Sequence, residues 1–310
     1  MPAFHHLRLA HGQIVASALL CGLIHVTRTL LVRDIHPVVL TALVFGIATL
    51  FLTTLVRPSW TKMTTFLRRY PWQVPLLSSV SMGGTLSFTI ALGHLGASVA
   101  TVLERLVPLA VLMLSALFLK ERLSRRAIPW IVLALMASWS MSVPSWEKGG
   151  AAFDSIGILA IVGAVFSWGA TITLGRFLLK TSDLPINEFT ILRYGVTVVL
   201  LMPLLIFVPP ENLTFTLSPL KWVLLIGVAT FVLGAATNLY YRGLRHVDAP
   251  TASFLEMPTP LVAVLIGHFF LGEPFGPVRV ISMVLLLLAV YQIVRVGTAP
   301  KSPPIPTEEV

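Results

Sequence analysis

The chain has 310 residues, 56% hydrophobic and 11% charged, with a mean hydropathy of +0.88 and a formal net charge of +9. A soluble domain carries about 25% charged residues, so this balance excludes an ordinary soluble enzyme and points to an integral membrane protein. The Lys and Arg residues lie between apolar runs, where they set topology, and this argues against a nucleic-acid partner.

A membrane-spanning helix needs about 20 apolar residues. Ten runs qualify: 13–32, 37–56, 73–93, 97–119, 127–145, 155–179, 187–208, 219–243, 249–271 and 276–296. No soluble domain separates them, so the first reads as an uncleaved span rather than a signal peptide. It holds Cys21, the single cysteine, and a lone cysteine excludes an intrachain disulfide. The tail from Thr298 has four prolines and two glutamates and is expected to be a disordered cytoplasmic segment over 298–310.

Arg8, Arg57, Lys62, Arg68, Arg69, Lys120, Arg122, Arg125, Arg126, Arg176, Lys180, Arg242, Arg245, Arg295 and Lys301 fall on the side of the N-terminus, fifteen in all. Four, Arg33, Lys148, Lys221 and Arg279, fall on the other. This asymmetry predicts a multi-pass protein of the plasma (inner) membrane with both termini cytoplasmic.

The chain repeats itself. A shift of 152 residues lays His94 on His246, Ala97 on Ala249, Glu104 on Glu256, Pro108 on Pro260 and Glu121 on Glu273, without a gap. Five spans separate each element from its copy. Five is odd, so the halves cross the membrane in opposite senses. The expected fold is an all-α membrane protein with ten transmembrane helices as two inverted five-helix repeats, over 1–145 and 146–297. Such repeats characterise secondary transporters, whose binding site lies near the midplane at the repeat interface.

Glu104 and Glu256 are the leading site candidates, for substrate binding and for proton coupling. An acid in hydrocarbon costs about 2.5–3.5 kcal/mol on insertion scales and is functional by default. Pro108 and Pro260 follow one turn later and should break the helices there. Small residues share the acids' faces, so each acid should look into protein or a cavity. The bland alternative is an internal ion pair.

Other candidates are weaker. His25 and Arg28 lie one turn apart in the first span, and a guanidinium there suits a substrate carboxylate or simple snorkelling. Ser81 and Thr85 belong to an unusually polar third span, and Thr85 aligns with Thr237. Asn238, Trp168 and Tyr241 are expected to line the same cavity, with helix packing and interfacial placement as the alternatives. Arg105 and Arg193 read as snorkelling or packing residues. Glu121 and Glu273 read as caps or partners of nearby arginines. His94 and His246 are minor candidates for gating.

Pro108 with Leu119-Lys120-Glu121-Arg122-Leu123, Pro260 with Phe270-Leu271-Gly272-Glu273-Pro274, and Ser167-Trp168-Gly169 together resemble the drug/metabolite transporter superfamily, specifically its EamA-type members. The resemblance covers the whole chain as ten helices in two inverted fives. It departs in the first span, where Cys21-Gly22 stands in place of a common Trp-Gly. It implies export of amino acids, metabolites or drugs, with some members importing.

No phosphate-binding loop, HExxH or paired-Cys metal site is present, so no cofactor or metal is expected. The reading is a secondary transporter, not an enzyme, that exports a small-molecule substrate by alternating access, possible proton coupling included. Its other partner is membrane lipid, and a homodimer is left open. Uptake or facilitated passage of a cationic or zwitterionic metabolite is the alternative. From other classes, a lipid scramblase needs a groove open to lipid. A membrane-embedded enzyme needs a clustered nucleophile and base, and the sequence offers neither.

Overall fold

In hydrocarbon every backbone N–H and C=O must find a partner within its own segment, so apolar runs fold as helices. The computed structural model describes residues 2–31, 34–121, 123–140, 154–271 and 276–296, and among them helices dominate. In chain order they are α1 (Pro2–Leu31), α2 (Pro37–Val56), α3 (Trp60–Arg69), α4 (Gln73–Glu104), α5 (Val107–Phe118) and α6 (Ile128–Ser140). Then come α7 (Ser155–Lys180), α8 (Ile186–Leu205), α9 (Pro219–Leu244), α10 (Ala249–Leu255), α11 (Thr259–Leu271) and α12 (Pro277–Val296). Six of them, α2, α7, α8, α9, α12 and the Gln73–Leu95 part of α4, are long and apolar enough to cross a membrane. Leu7–Leu23 and Val107–Phe118 are shorter apolar helices. The expected tail at 298–310 and Glu273 lie outside the described residues.

Local chemistry sets the boundaries. Pro37 opens α2 behind the His36 cap, and Asp154 caps α7 by accepting the Ile156 N–H at 3.0 Å. Asp248 accepts the Thr251 N–H at 2.8 Å, and Pro250 stands in the first turn of α10, so α9 and α10 are separate. Gly96 and Ser98 occupy the equivalent places in the first half and supply neither a carboxylate cap nor a proline. There α4 runs on to Glu104, and the expected break between 93 and 97 falls instead at Arg105-Leu106. The chain still turns back on α7: a Cβ on Gly157 would touch Leu95, and one on Gly169 would touch Ala110.

One helix was not anticipated. α3 carries Lys62, Arg68 and Arg69 opposite buried Met63 and Phe66, with exposed Trp60 and Trp72 at its flanks. This is the pattern of a helix lying along the membrane surface.

The packing is symmetric under exchange of the halves. α1 packs on α9 as α7 packs on α4; α1 packs on α11 as α7 packs on α5. α2 meets its own counterpart α8, and α6 meets α12. Contacts between loops and helix ends also fall into two sets. At one end Tyr70 donates to the Thr181 carbonyl and Ser59 N–H to Glu188, while Glu121 joins Arg176 and Ala249. At the other, Lys221 pairs with Asp34 and His94 with Asp154. That division matches the loop assignment drawn from the sequence. Exposed Leu50, Leu55, Leu117, Ile206 and Phe269 make the outer surface, which suits contact with lipid.

Candidate functional site

Both helices that carry the paired acids are interrupted beside them. Glu104 is the last residue of α4, and Arg105-Leu106 form a turn before Val107-Pro108 open α5. Glu256 follows α10, and a turn over 256–258 precedes α11. Discontinuous helices at this depth place backbone ends and charged side chains on an internal site.

Glu104 and Glu256 line one cavity of about 270 Å³. Ser81, Thr85, Trp168 and Tyr241 line it too, so six of the nine expected residues meet there. Residues from α1, α2, α7, α8 and α9 complete the wall, including Cys21, Phe45, Thr171, Tyr194 and Thr237. The cavity thus lies between the halves. The expectations for His25 and Arg28 concern side chains outside the described set.

Asn238 is a correction. It is buried but absent from the cavity wall, and its amide donates to the Gly234 carbonyl at 2.6 Å. The physical reason is the π-helical register of Val228–Ala236. Such a stretch leaves carbonyls without their usual helical donors, and Asn238 turns back to one of them. Tyr194 serves another, meeting the Leu233 carbonyl at 3.1 Å and the Thr237 hydroxyl at 2.8 Å.

Two arginines are also corrections. Arg105 was expected to snorkel or pack. It is 8% exposed, lines the cavity, and sets Nη2 3.6 Å from Glu104 Oε2, an ion pair without hydrogen-bond contact. A helical wheel offsets neighbours by about 100°, but the helix ends between these two residues, so the wheel does not apply. Arg193 was expected to snorkel. Instead its guanidinium donates to the Tyr241 hydroxyl and to Ser81, 5.3 Å from the Tyr194 ring centre and 5.4 Å from that of Tyr241. The signal was available: Thr190, Arg193, Tyr194, Thr197 and Leu201 recur at three- and four-residue spacing, and all are buried.

The acids differ in their surroundings. Glu104 has Arg105. Glu256 makes no ion pair among the described residues, and the Tyr240 hydroxyl lies near it without ordinary hydrogen-bond geometry. Trp168 closes a further wall, its ring 5.1 Å from that of Phe88. Gly84 permits this: a Cβ there would lie 2.7 Å from Trp168 Cδ1. No group of metal-binding side chains occurs among the described residues. Glu121, expected as a cap or arginine partner, is both: it pairs with Arg176 at 3.3 Å and accepts the Ala249 N–H at 2.9 Å.

The model of the EamA-like transporter family matches residues 9–143 and 155–295. The chain belongs to that family. It is therefore a membrane transporter and not an enzyme, an all-α protein of ten transmembrane helices in two inverted five-helix repeats. Among curated relatives, the riboflavin transporter ImpX of Fusobacterium nucleatum is 25% identical over 212 residues, 68% of this chain and 70% of that protein. The threonine/homoserine exporter RhtA of Escherichia coli is 26% identical over 269 residues, covering 84% of this chain and 83% of that one. An uncharacterized transporter of Archaeoglobus fulgidus is 26% identical over 272 residues, 85% and 91% of the two chains. A solved crystal structure at 17% identity superposes with a TM-score of 0.75, over 92% of this chain and 96% of its own, and shares the fold.

Proposed function

We propose that this transporter exports a small organic solute by alternating access, driven by a proton gradient through Glu256. The observation that carries the reading is the contrast between the paired acids of one cavity. Glu104 holds an ion pair with Arg105, and Glu256 has none among the described residues. Protonating Glu256 breaks no ion pair among the described residues, so this acid can change charge within the transport cycle at little structural expense. The halves 1–145 and 146–297 rock about the cavity. In this reading both termini face the cytoplasm and the membrane is the plasma (inner) membrane, which the excess of Lys and Arg in the loops on the N-terminal side supports. The relatives named above handle a flavin in one case and hydroxy amino acids in another. The family thus sets solute transport, and the cavity sets the solute.

The test is reconstitution in liposomes, following L-threonine, L-homoserine and riboflavin with an imposed pH gradient and, separately, exchange at equal pH. Wild type should accumulate at least one solute against its gradient when protons flow the other way. Glu256→Gln should lose that accumulation yet retain exchange. Accumulation that ignores the pH gradient, or survives in Glu256→Gln, would overturn the coupling.

A further inference from the structure

The cavity is lined by two carboxylates and two guanidiniums, and among the described residues Arg193 is not part of an ion pair. Glu104 faces Arg105. Arg193 is 8% exposed and makes no ion pair among the described residues. Its two Nη atoms donate to neutral hydroxyls, those of Tyr241 and Ser81, and Nε has no partner. A buried charge that lacks a counter-ion is costly and persists where something compensates it. Here two tyrosine faces supply part of the compensation. They also hold the guanidinium plane in place at the cavity wall.

The geometry points to Arg193 as the anion-binding residue of the transport site, which makes the transported solute one that carries a carboxylate. The inference rests on the reading of the cavity as the solute site. A guanidinium presents a planar fork that matches a carboxylate. Nε is enclosed, so the donors left for a carboxylate are the second N–H of each Nη, beside the Tyr241 and Ser81 hydroxyls. The charge of the site selects against a phosphate: Glu104 and Glu256 share the cavity and repel a dianion, whereas one carboxylate neutralises Arg193 alone. The Ser81 and Tyr241 hydroxyls already bound to Arg193 border the same place and can donate to the incoming oxygens.

The experiment uses the purified full chain in lipid nanodiscs and matched probes that differ only in the carboxylate. L-threonine, L-leucine and L-phenylalanine are compared with their carboxamides, and riboflavin and choline serve as solutes lacking a carboxylate. Binding is read by the rise in melting temperature and by competition. At least one acid should bind, and its amide should bind roughly tenfold or more weakly. Arg193→Gln should erase the preference, while Arg193→Lys should keep it with weaker binding. The comparison of acid with amide on wild type stands even if Arg193→Gln fails to fold. Equal binding of acid and amide overturns the inference, as does an acid preference that survives in folded Arg193→Gln. Riboflavin or choline flux in liposomes without binding of any acid also overturns it, and leaves the solute-transport reading intact. Absence of flux for every probe defeats both.

Discussion

Glu121 of the first half accepts the backbone N–H of Ala249 in the second half at 2.9 Å. The other carboxylate oxygen takes Arg176 Nε at 3.3 Å, and Arg176 Nη1 donates to the carbonyls of Leu244 and Arg245 at 2.7 and 2.5 Å. One acid thus ties the end of α5 to the C-terminus of α9 and the N-terminus of α10. Glu121→Ala removes a helix cap and strands a buried guanidinium, so it should destabilise the protein by about 3 kcal/mol. Glu121→Gln keeps an acceptor for Ala249 and should fall between. Unfolding in mixed micelles measures both, and equal stability of Glu121→Ala and wild type would remove the cluster from any structural role.

Gly243 tests the contact between α1 and α9. A Cβ there would sit 2.6 Å from the Ala10 carbonyl oxygen and 2.4 Å from Ile14 Cγ1. Backbone cannot yield as a side chain can, so Gly243→Ala should cost about 1–3 kcal/mol by overpacking. Gly46→Ala is the control, since nothing lies within 4 Å of its Cβ position. Ala has the higher helix propensity, so a melting temperature raised or unchanged alike in both variants would show that the contact with α1 is not tight.

His94 of α4 and Asp154 at the cap of α7 carry a charge effect that titrates. Asp154 accepts from His94 and from the Ile156 N–H, and these bonds, His94 foremost, hold its carboxyl below the usual carboxylate range. A depressed folded pKa contributes stability above the unfolded value, about 3.9, and loses it as pH falls through the folded value. Asp154→Asn keeps a capping side chain but not the charge. It should melt below wild type at pH 7, and the gap should close below about pH 4. A gap that stays constant to low pH would show that the charge is not what stabilises.

The spans, the inverted repeat and the two acids were legible because each is a property of apolar length, spacing or residue type. Positions that depended on where a helix stops were not. Arg105 was misplaced because α4 ends at Glu104, and Asn238 because the π-helical register of Val228–Ala236 redirects its amide to Gly234. Arg193 was legible in principle, through the buried stripe from Thr190 to Leu201. Depth alone suggested snorkelling, and only the polar neighbours on that face tell a cavity arginine from an anchor. α3 is too short and too charged for a criterion built on 20 apolar residues.

The last prediction separates the paired acids by what each supports. Glu104 and Arg105 are buried together, so removing either charge leaves the other in a poor environment. Glu104→Gln and Arg105→Gln should each destabilise by about 3 kcal/mol, and the double variant should lose less than the sum by about 1–3 kcal/mol. Glu256 is in ion-pair distance of no cation among the described residues, so Glu256→Gln should stay within about 1 kcal/mol of wild type while losing gradient-driven accumulation. The two acids, equivalent by the 152-residue repeat, should therefore show opposite phenotypes: stability for Glu104, coupling for Glu256. Unfolding curves for the four variants, set beside liposome transport for Glu104→Gln and Glu256→Gln, decide the matter. Additive losses in the double variant would dismiss the ion pair. A Glu256→Gln protein as unstable as Glu104→Gln would place both acids in the architecture and neither in the transport cycle.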